Sequence, residues 1–281
     1  MTRLREEDID SIAEQIGNYD RLFYSQTGYT MEAIACKAVN RKPPIHKKKA
    51  AVVTITSGQG VIGKFAQSIA AILKHCKIPA EVMGKTDVAG LQQAYTSGAE
   101  IVILADDETF VALGIGSAVQ SDNGKATGRG YAAALLAAME KQGTTTANQE
   151  ILIIGAGPVG AAAAWYVAEN HATPIICDLQ EQKAKSLAEQ IVGAKTAIYP
   201  FKQGAYPYII EASTAADVIH REDVTAQSII SAPGVPCGVS GSARDIATVI
   251  YNPLELGVLV MYFECMANWE CGVNRKGQEE I

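Results

Sequence analysis

The chain has 281 residues, of which 48% are hydrophobic and 19% charged, and its formal net charge is −6. That length buries one large core or two of modest size, and the composition is globular rather than disordered. The acidic balance excludes nucleic acid as the main partner, because phosphate binding needs a basic surface.

Residues 5–24 set Ile9, Ile12 and Ile16 at helical spacing, with acids in the first turns where the helix dipole favours them. A second helix is expected after Thr30, its N-cap, through M-E-A-I-A-C-K-A-V. The basic run R-K-P-P-I-H-K-K-K at 41–49 is split by two prolines. It reads as a solvated connection, with an anion-attracting patch as the alternative. The pattern then changes to A-A-V-V-T-I-T (50–56) as a strand, F-A-Q-S-I-A-A-I-L-K-H (65–75) as a helix and A-E-V-M as a strand. L-Q-Q-A-Y-T-S follows as a helix and E-I-V-I-L-A as a strand.

Residues 117–129 are polar and glycine-containing and predict a loop, after which G-Y-A-A-A-L-L-A-A-M-E-K predicts a long helix. Alternation restarts at I-L-I-I (151–154) and continues through P-I-I-C-D, T-A-I-Y-P, Y-I-I-E-A and S-I-I-S-A. The expected class is α/β, with largely parallel sheet covered on both faces. Two lobes with a cleft between them are expected. Residues 1–140 form an N-terminal helical and α/β substrate lobe, and 141–281 a Rossmann-type lobe with a C-terminal helix. Within that helix, L-G-V-L-V-M-Y-F-E-C-M-A is interrupted by Glu264 and too short to span a bilayer, so it reads as core.

Cysteines at 36, 76, 177, 237, 265 and 271 form no C-x-x-C pair, which supports neither a zinc site nor a disulfide framework. The start, M-T-R-L-R-E-E-D, lacks an apolar leader segment. A cytoplasmic protein without metal, membrane or nucleic-acid partner is expected.

The spacing G-x-G-x-x-G occurs twice, at 58–63 and 155–160. The second copy follows an apolar strand and opens a small-residue helix, and the next strand ends in Asp178, about 20 residues on, where an adenosine ribose is held. Gly155 suits a tight turn, Gly157 a close backbone approach to pyrophosphate, and Gly160 close helix–strand packing, with Pro158 and Val159 between them. Amides at the helix start would meet the phosphates. A merely structural turn is the alternative. A carboxylate at 178 accepts ribose hydroxyls but repels a 2′-phosphate, favouring NAD over NADP. Ligands of such sheets lie beyond the carboxyl ends of the strands, which brings in Ser213 of E-A-S-T and Pro233 and Gly234 of S-A-P-G-V-P.

The first copy, T-I-T-S-G-Q-G-V-I-G, has no acid at ribose distance, since Asp87 comes late, after G-K-T. Helix-start amides there would suit a smaller anion such as a carboxylate, with Thr56, Ser57 and Gly58 as binding residues. A plain strand–turn–helix is the alternative. Between the two copies, L-A-D-D-E-T-F places Asp106 and Asp107 at the end of an apolar strand. An acid there suits a cationic substrate: it holds an ammonium, or takes its proton before hydride leaves the adjacent carbon. Alternatively, Asp106 or Asp107 caps the next helix, and position alone leaves both readings open. The four histidines sit in no motif and read as surface or helix positions, as does Lys64.

V-T-I-T-S-G-Q-G-V-I-G, A-D-D-E-T-F, I-G-A-G-P-V-G, E-A-S-T and S-A-P-G-V-P-C, in this order over nearly the whole chain, resemble the PylD family of pyrrolysine-forming dehydrogenases. The resemblance implies NAD-dependent oxidation of the terminal amine carbon of 3-methylornithyl-N-epsilon-lysine. The resulting imine or aldehyde is then trapped by the internal amine, with loss of ammonia. It also implies a homodimer, a catalytic acid at Asp106, nucleotide glycines at 155, 157 and 160, and a ribose acid at Asp178. The tail N-R-K-G-Q-E-E-I extends past the family's pattern. Two other readings of the residues are an NAD-dependent dehydrogenase of other amino acids or imines, and a regulatory NAD-binding module without turnover.

Overall fold

The computed structural model describes residue 4 and residues 6–276, apart from 59–60, 117–118, 202 and 253; for residues 8 and 267–276 it describes the backbone alone. The helix expected over 5–24 is two, α1 (Glu6–Ile9) and α2 (Ile12–Thr27), and the three isoleucines are buried as their spacing requires. Gly28 ends α2 in the left-handed region at φ 78° and returns its N–H to Tyr24. Thr30 caps α3 (Met31–Ala38), its hydroxyl accepting from the Ala33 N–H at 3.2 Å.

The first sheet is built from β1 (Ala50–Thr54), β2 (Ala80–Val82), β3 (Ile101–Ala105), β4 (Phe110–Gly114) and β5 (Gln120–Asp122), in the order β2-β1-β3-β4-β5. Helices α4 (Phe65–His75) and α5 (Asp87–Thr96) make the crossovers. The β2–β1 and β1–β3 pairings are parallel, but β3–β4 and β4–β5 are antiparallel, so the expectation of largely parallel sheet does not extend to this edge. The cause is local. Asp106 Oδ1 accepts from the N–H groups of Glu108 and Thr109, at 2.9 and 2.7 Å, and closes a tight turn that sends the chain back as a hairpin. No helix follows the two acids.

Residues 117–129 are not one loop. Asp122 is the N-cap of α6 (Asn123–Lys141), its carboxylate accepting from the Lys125 N–H at 3.0 Å; Ser117 and Ala118 lie outside the described residues. Gly124 and Gly128, which look like loop residues in sequence, and Gly130, which opens the expected helix, all admit neighbouring helices. A Cβ on Gly128 would stand 2.2 Å from the Val159 carbonyl oxygen, and one on Gly130 2.9 Å from Val260 Cγ2.

The second sheet contains β6 (Glu150–Ile154), β7 (Thr173–Cys177), β8 (Lys195–Thr196), β9 (Tyr208–Glu211), β10 (Ile229–Ser231) and β11 (Thr248–Ile250). It is parallel throughout, ordered β11-β10-β9-β6-β7-β8, which is the doubly wound Rossmann order, and α7 (Pro158–Glu169), α8 (Glu181–Ala188) and α9 (Gly241–Arg244) lie among its connections. The last helix, α10 (Glu255–Lys276), packs on α3, α4, β4 and β5 as well as on α6. A single apolar core therefore runs from the first sheet through α6, α7 and α10 to the second. The C-terminal apolar segment is buried in it, and among the described residues no helix is long and apolar enough to cross a membrane.

Candidate active site

A cleft of about 1340 Å³ opens between the sheets. The first lobe contributes Ser57 beyond β1, Asp106 and Asp107 beyond β3, and Phe65 at the start of α4. The second lobe contributes Gly157, Pro158 and Val159 at the start of α7, with Ser213, Pro233 and Gly234 beyond β9 and β10. The strand order reverses between β6 and β9, so the cleft sits at the switch point of the parallel sheet.

The two glycine turns differ in build. In the second, Gly157 is the N-cap and α7 starts at Pro158, so free first-turn amides face the turn. Gly155, at φ 101°, donates to Cys177 O at 2.7 Å, and a Cβ on it would meet the Ala212 carbonyl oxygen at 2.7 Å. A Cβ on Gly160 would stand 1.8 Å from the Gly155 oxygen, whereas one on Gly157 would meet nothing within 4 Å. Two glycines are thus demanded by packing, and the third leaves open space. Asp178 follows β7 and closes the turn from the side, accepting from the Ala156 N–H through Oδ2 and the Gln180 N–H through Oδ1, both at 2.8 Å.

In the first copy the helix begins only at Phe65, after the third glycine, so helix-start amides do not cradle the turn. Gln59 and Gly60 lie outside the described residues. Thr56 is outside the cleft lining: its N–H and hydroxyl both go to Asp87, at 2.8 and 2.7 Å, and hold that carboxyl below the usual carboxylate range. Gly58 is also outside the lining; its φ is 84°, and a Cβ there would meet Asp107 Oδ2 at 2.1 Å. Ser57 alone of the three faces the cleft. Asp107 therefore leans on the glycine turn, while Asp106 is held by its own hairpin. The N–H groups of Thr109 and then Glu108 keep the Asp106 carboxyl below the usual range, so it stays ionised and is a weak base.

Sequence reasoning took in Glu211, the last residue of β9, only as the start of the strand end E-A-S-T and gave it no role of its own. It is fully buried, and its carboxylate accepts from the Ser213 N–H at 2.9 Å, from the Ser213 hydroxyl and from the Gly238 N–H at 3.2 Å. Burial pushes its carboxyl up, and those bonds partly oppose the shift. A Cβ on Gly234 or Gly238 would collide with this carboxylate, at 2.7 and 2.4 Å, so one acid ties the loops after β9 and β10 together. An acid ending the apolar run Y-I-I-E was the available signal, the same one that picks out Asp106. Asn123, Lys125 and Thr127 of α6 also line the cleft. They were hidden by reading 117–129 as loop. Among the described residues no group of three or more potential metal ligands is gathered, and the five described cysteines are free thiols.

Residues 8–121 match the family model described as pyrrolysine biosynthesis protein PylD, N-terminal domain. Over 270 residues the chain is 28% identical to a pyrrolysine synthase of Methanosarcina acetivorans, covering 95% of this chain and all of that protein. A pyrrolysine synthase of Methanosarcina barkeri matches at 28% over 271 residues, 95% of this chain and 98% of the relative. The chain is similar to the PylD family. The fold of this chain also resembles solved structures at much lower identity. One is a shikimate dehydrogenase in complex with NADP+, with TM-score 0.52 and 13% identity over 79% of this chain and 96% of that one. Another is quinate dehydrogenase from Corynebacterium glutamicum in complex with NAD, with TM-score 0.51 and 11% identity over 79% and 94% of the two chains.

Proposed function

We propose that this chain is an NAD-dependent amine dehydrogenase that completes pyrrolysine. It oxidises the terminal amine carbon of 3-methylornithyl-lysine, after which the internal amine closes the ring and ammonia leaves. The observation that carries the reading is one cleft lined on its first-lobe side by the ionised carboxylate of Asp106 and on the other by the open glycine turn at Gly157. Its family relatives named pyrrolysine synthase support the substrate class.

The second turn fits a dinucleotide. Open space stands over Gly157, first-turn amides of α7 face it, and the Asp178 carboxylate stands where a ribose diol would bond. When bound, NAD supplies the hydride acceptor. Asp106 holds the substrate ammonium in place, and because its carboxyl lies below the usual range its contribution is placement rather than strong basicity; the amine's proton passes to water. Ser57 offers a hydroxyl to the substrate carboxylate. Glu211 fixes the loops of Ser213 and Gly234, and Phe65, Ile69 and Leu254 give the cleft an apolar wall that limits water. Ring closure is intramolecular and needs little from the protein.

The test is incubation of purified protein with NAD and the lysine conjugate while NADH absorbance is followed. NADH formation together with pyrrolysine is expected. Reduction with simpler diamino acids but not the conjugate would replace the substrate, and saturable NAD binding without turnover would replace the enzyme by a sensor.

A further inference from the structure

Two lysines line the cleft, Lys64 and Lys125. Lys64 Nζ stands 3.3 Å from Asp10 Oδ1, so its charge is answered within the first lobe. Lys125 has an exposed side chain and makes no ion pair among the described residues, although its backbone is fixed by the Asp122 cap. It sits in the first turn of α6, which lies directly against the first turn of α7. A Cβ on Gly124 would meet Pro158 Cβ at 3.3 Å, and one on Gly128 the Val159 carbonyl oxygen at 2.2 Å. Close contacts on either side in sequence thus hold Lys125 beside the turn, where a Cβ on the middle glycine would meet nothing within 4 Å.

That turn lacks a cation of its own. Residues 155–164, 211–216 and 231–238, the second-lobe segments that border the cleft, contain neither Lys nor Arg. The start of α7 contributes roughly half a positive charge through its dipole, too little to balance a dinucleotide's two phosphates. Asp106, Asp107, Glu108 and Asp122, which also line the cleft, add negative charge. We propose that Lys125, a residue of the first lobe, is the counter-cation of the dinucleotide pyrophosphate bound on the second lobe. This rests on the dinucleotide reading above. An ammonium on a flexible stem suits a phosphate as a point charge. The cofactor then bridges the lobes through the α6–α7 seam, and its affinity depends on a residue outside the Rossmann sheet.

The experiment is Lys125→Met. NADH binding is followed by its fluorescence, and ADP-ribose and adenosine are measured as competitors. ADP-ribose keeps the pyrophosphate without the nicotinamide, and adenosine has neither. The variant is expected to bind NADH and ADP-ribose about tenfold more weakly, with a flatter salt dependence, and adenosine unchanged. Lys125→Arg should recover most of the loss. Unchanged NADH affinity in Lys125→Met overturns the assignment, and a raised KM for the lysine conjugate alongside it would move the lysine to the substrate carboxylate. Equal weakening of all three ligands overturns it too, because the effect would not follow the phosphates. Wild-type protein that binds neither NADH nor ADP-ribose would refute the dinucleotide reading itself, a result distinct from wild-type binding that the variant leaves intact.

Discussion

Glu255 gives this protein a pH dependence that can be worked through in advance. It opens α10 with only 1% of its surface exposed. Its Oε1 accepts from Asn252 Nδ2, while Oε2 has no hydrogen-bond partner among the described residues. Burial pushes the carboxyl up to about 7, against a weaker opposing pull from the N–H groups of Glu255 and Leu254. In the unfolded chain it titrates near 4.3. Between those two values the native state keeps a proton that the unfolded state has lost, so folding takes up a proton and stability falls as pH rises. The contribution is complete below about pH 4, declines through the window and is gone above about pH 7. At about 1.36 kcal/mol per pH unit, the window is worth roughly 4 kcal/mol. Glu255→Gln keeps the shape and removes the titration. Urea unfolding of both proteins from about pH 5 to about pH 8.5 should show the variant gaining on wild type by most of that amount towards high pH. Parallel stability profiles would refute the reasoning, because they would mean the acid is ionised in its buried position or hydrated there.

Asp106→Asn should abolish turnover while leaving NADH binding intact. Asparagine keeps the oxygen that accepts from Glu108 and Thr109, so the hairpin survives and only the charge is lost; a near-normal rate would reduce the acid to a turn former. Asp178→Ala should weaken NADH binding and relax discrimination against NADPH, measured by titrating both, and an unchanged preference would undercut its ribose role. Ser57→Ala should raise the Michaelis constant for the lysine conjugate without altering NADH binding, and weakened NADH binding would move Ser57 to the cofactor. Gly128→Val forces a side chain into the Val159 backbone and should lower stability by about 1–3 kcal/mol in urea unfolding; no loss would mean the α6–α7 seam opens freely.

The second lobe was legible in the chain because its signals are local. A buried parallel strand reads as an apolar run, and a dinucleotide turn needs its glycines at fixed spacing for steric reasons confined to a few residues. I-L-I-I followed by G-A-G-P-V-G therefore carried both the strand and the helix start, and the acid after P-I-I-C fell beside the turn. Helix α4 and its amphipathic stripe were equally visible.

What the sequence left open depended on partners distant along the chain. Gly124 and Gly128 read as loop residues until α7 is present to fill the space that their missing side chains leave. The two acids after β3 could have capped a helix; a hairpin took them instead, aiming one at its own turn and the other at Gly58. Thr56 and Ser57 are neighbours with the same chemistry, and only Asp87, 31 residues on, decides which of them is used up. Backbone spacing and burial periodicity are written residue by residue, whereas the direction of a polar side chain is set by whatever the rest of the fold brings within hydrogen-bonding reach.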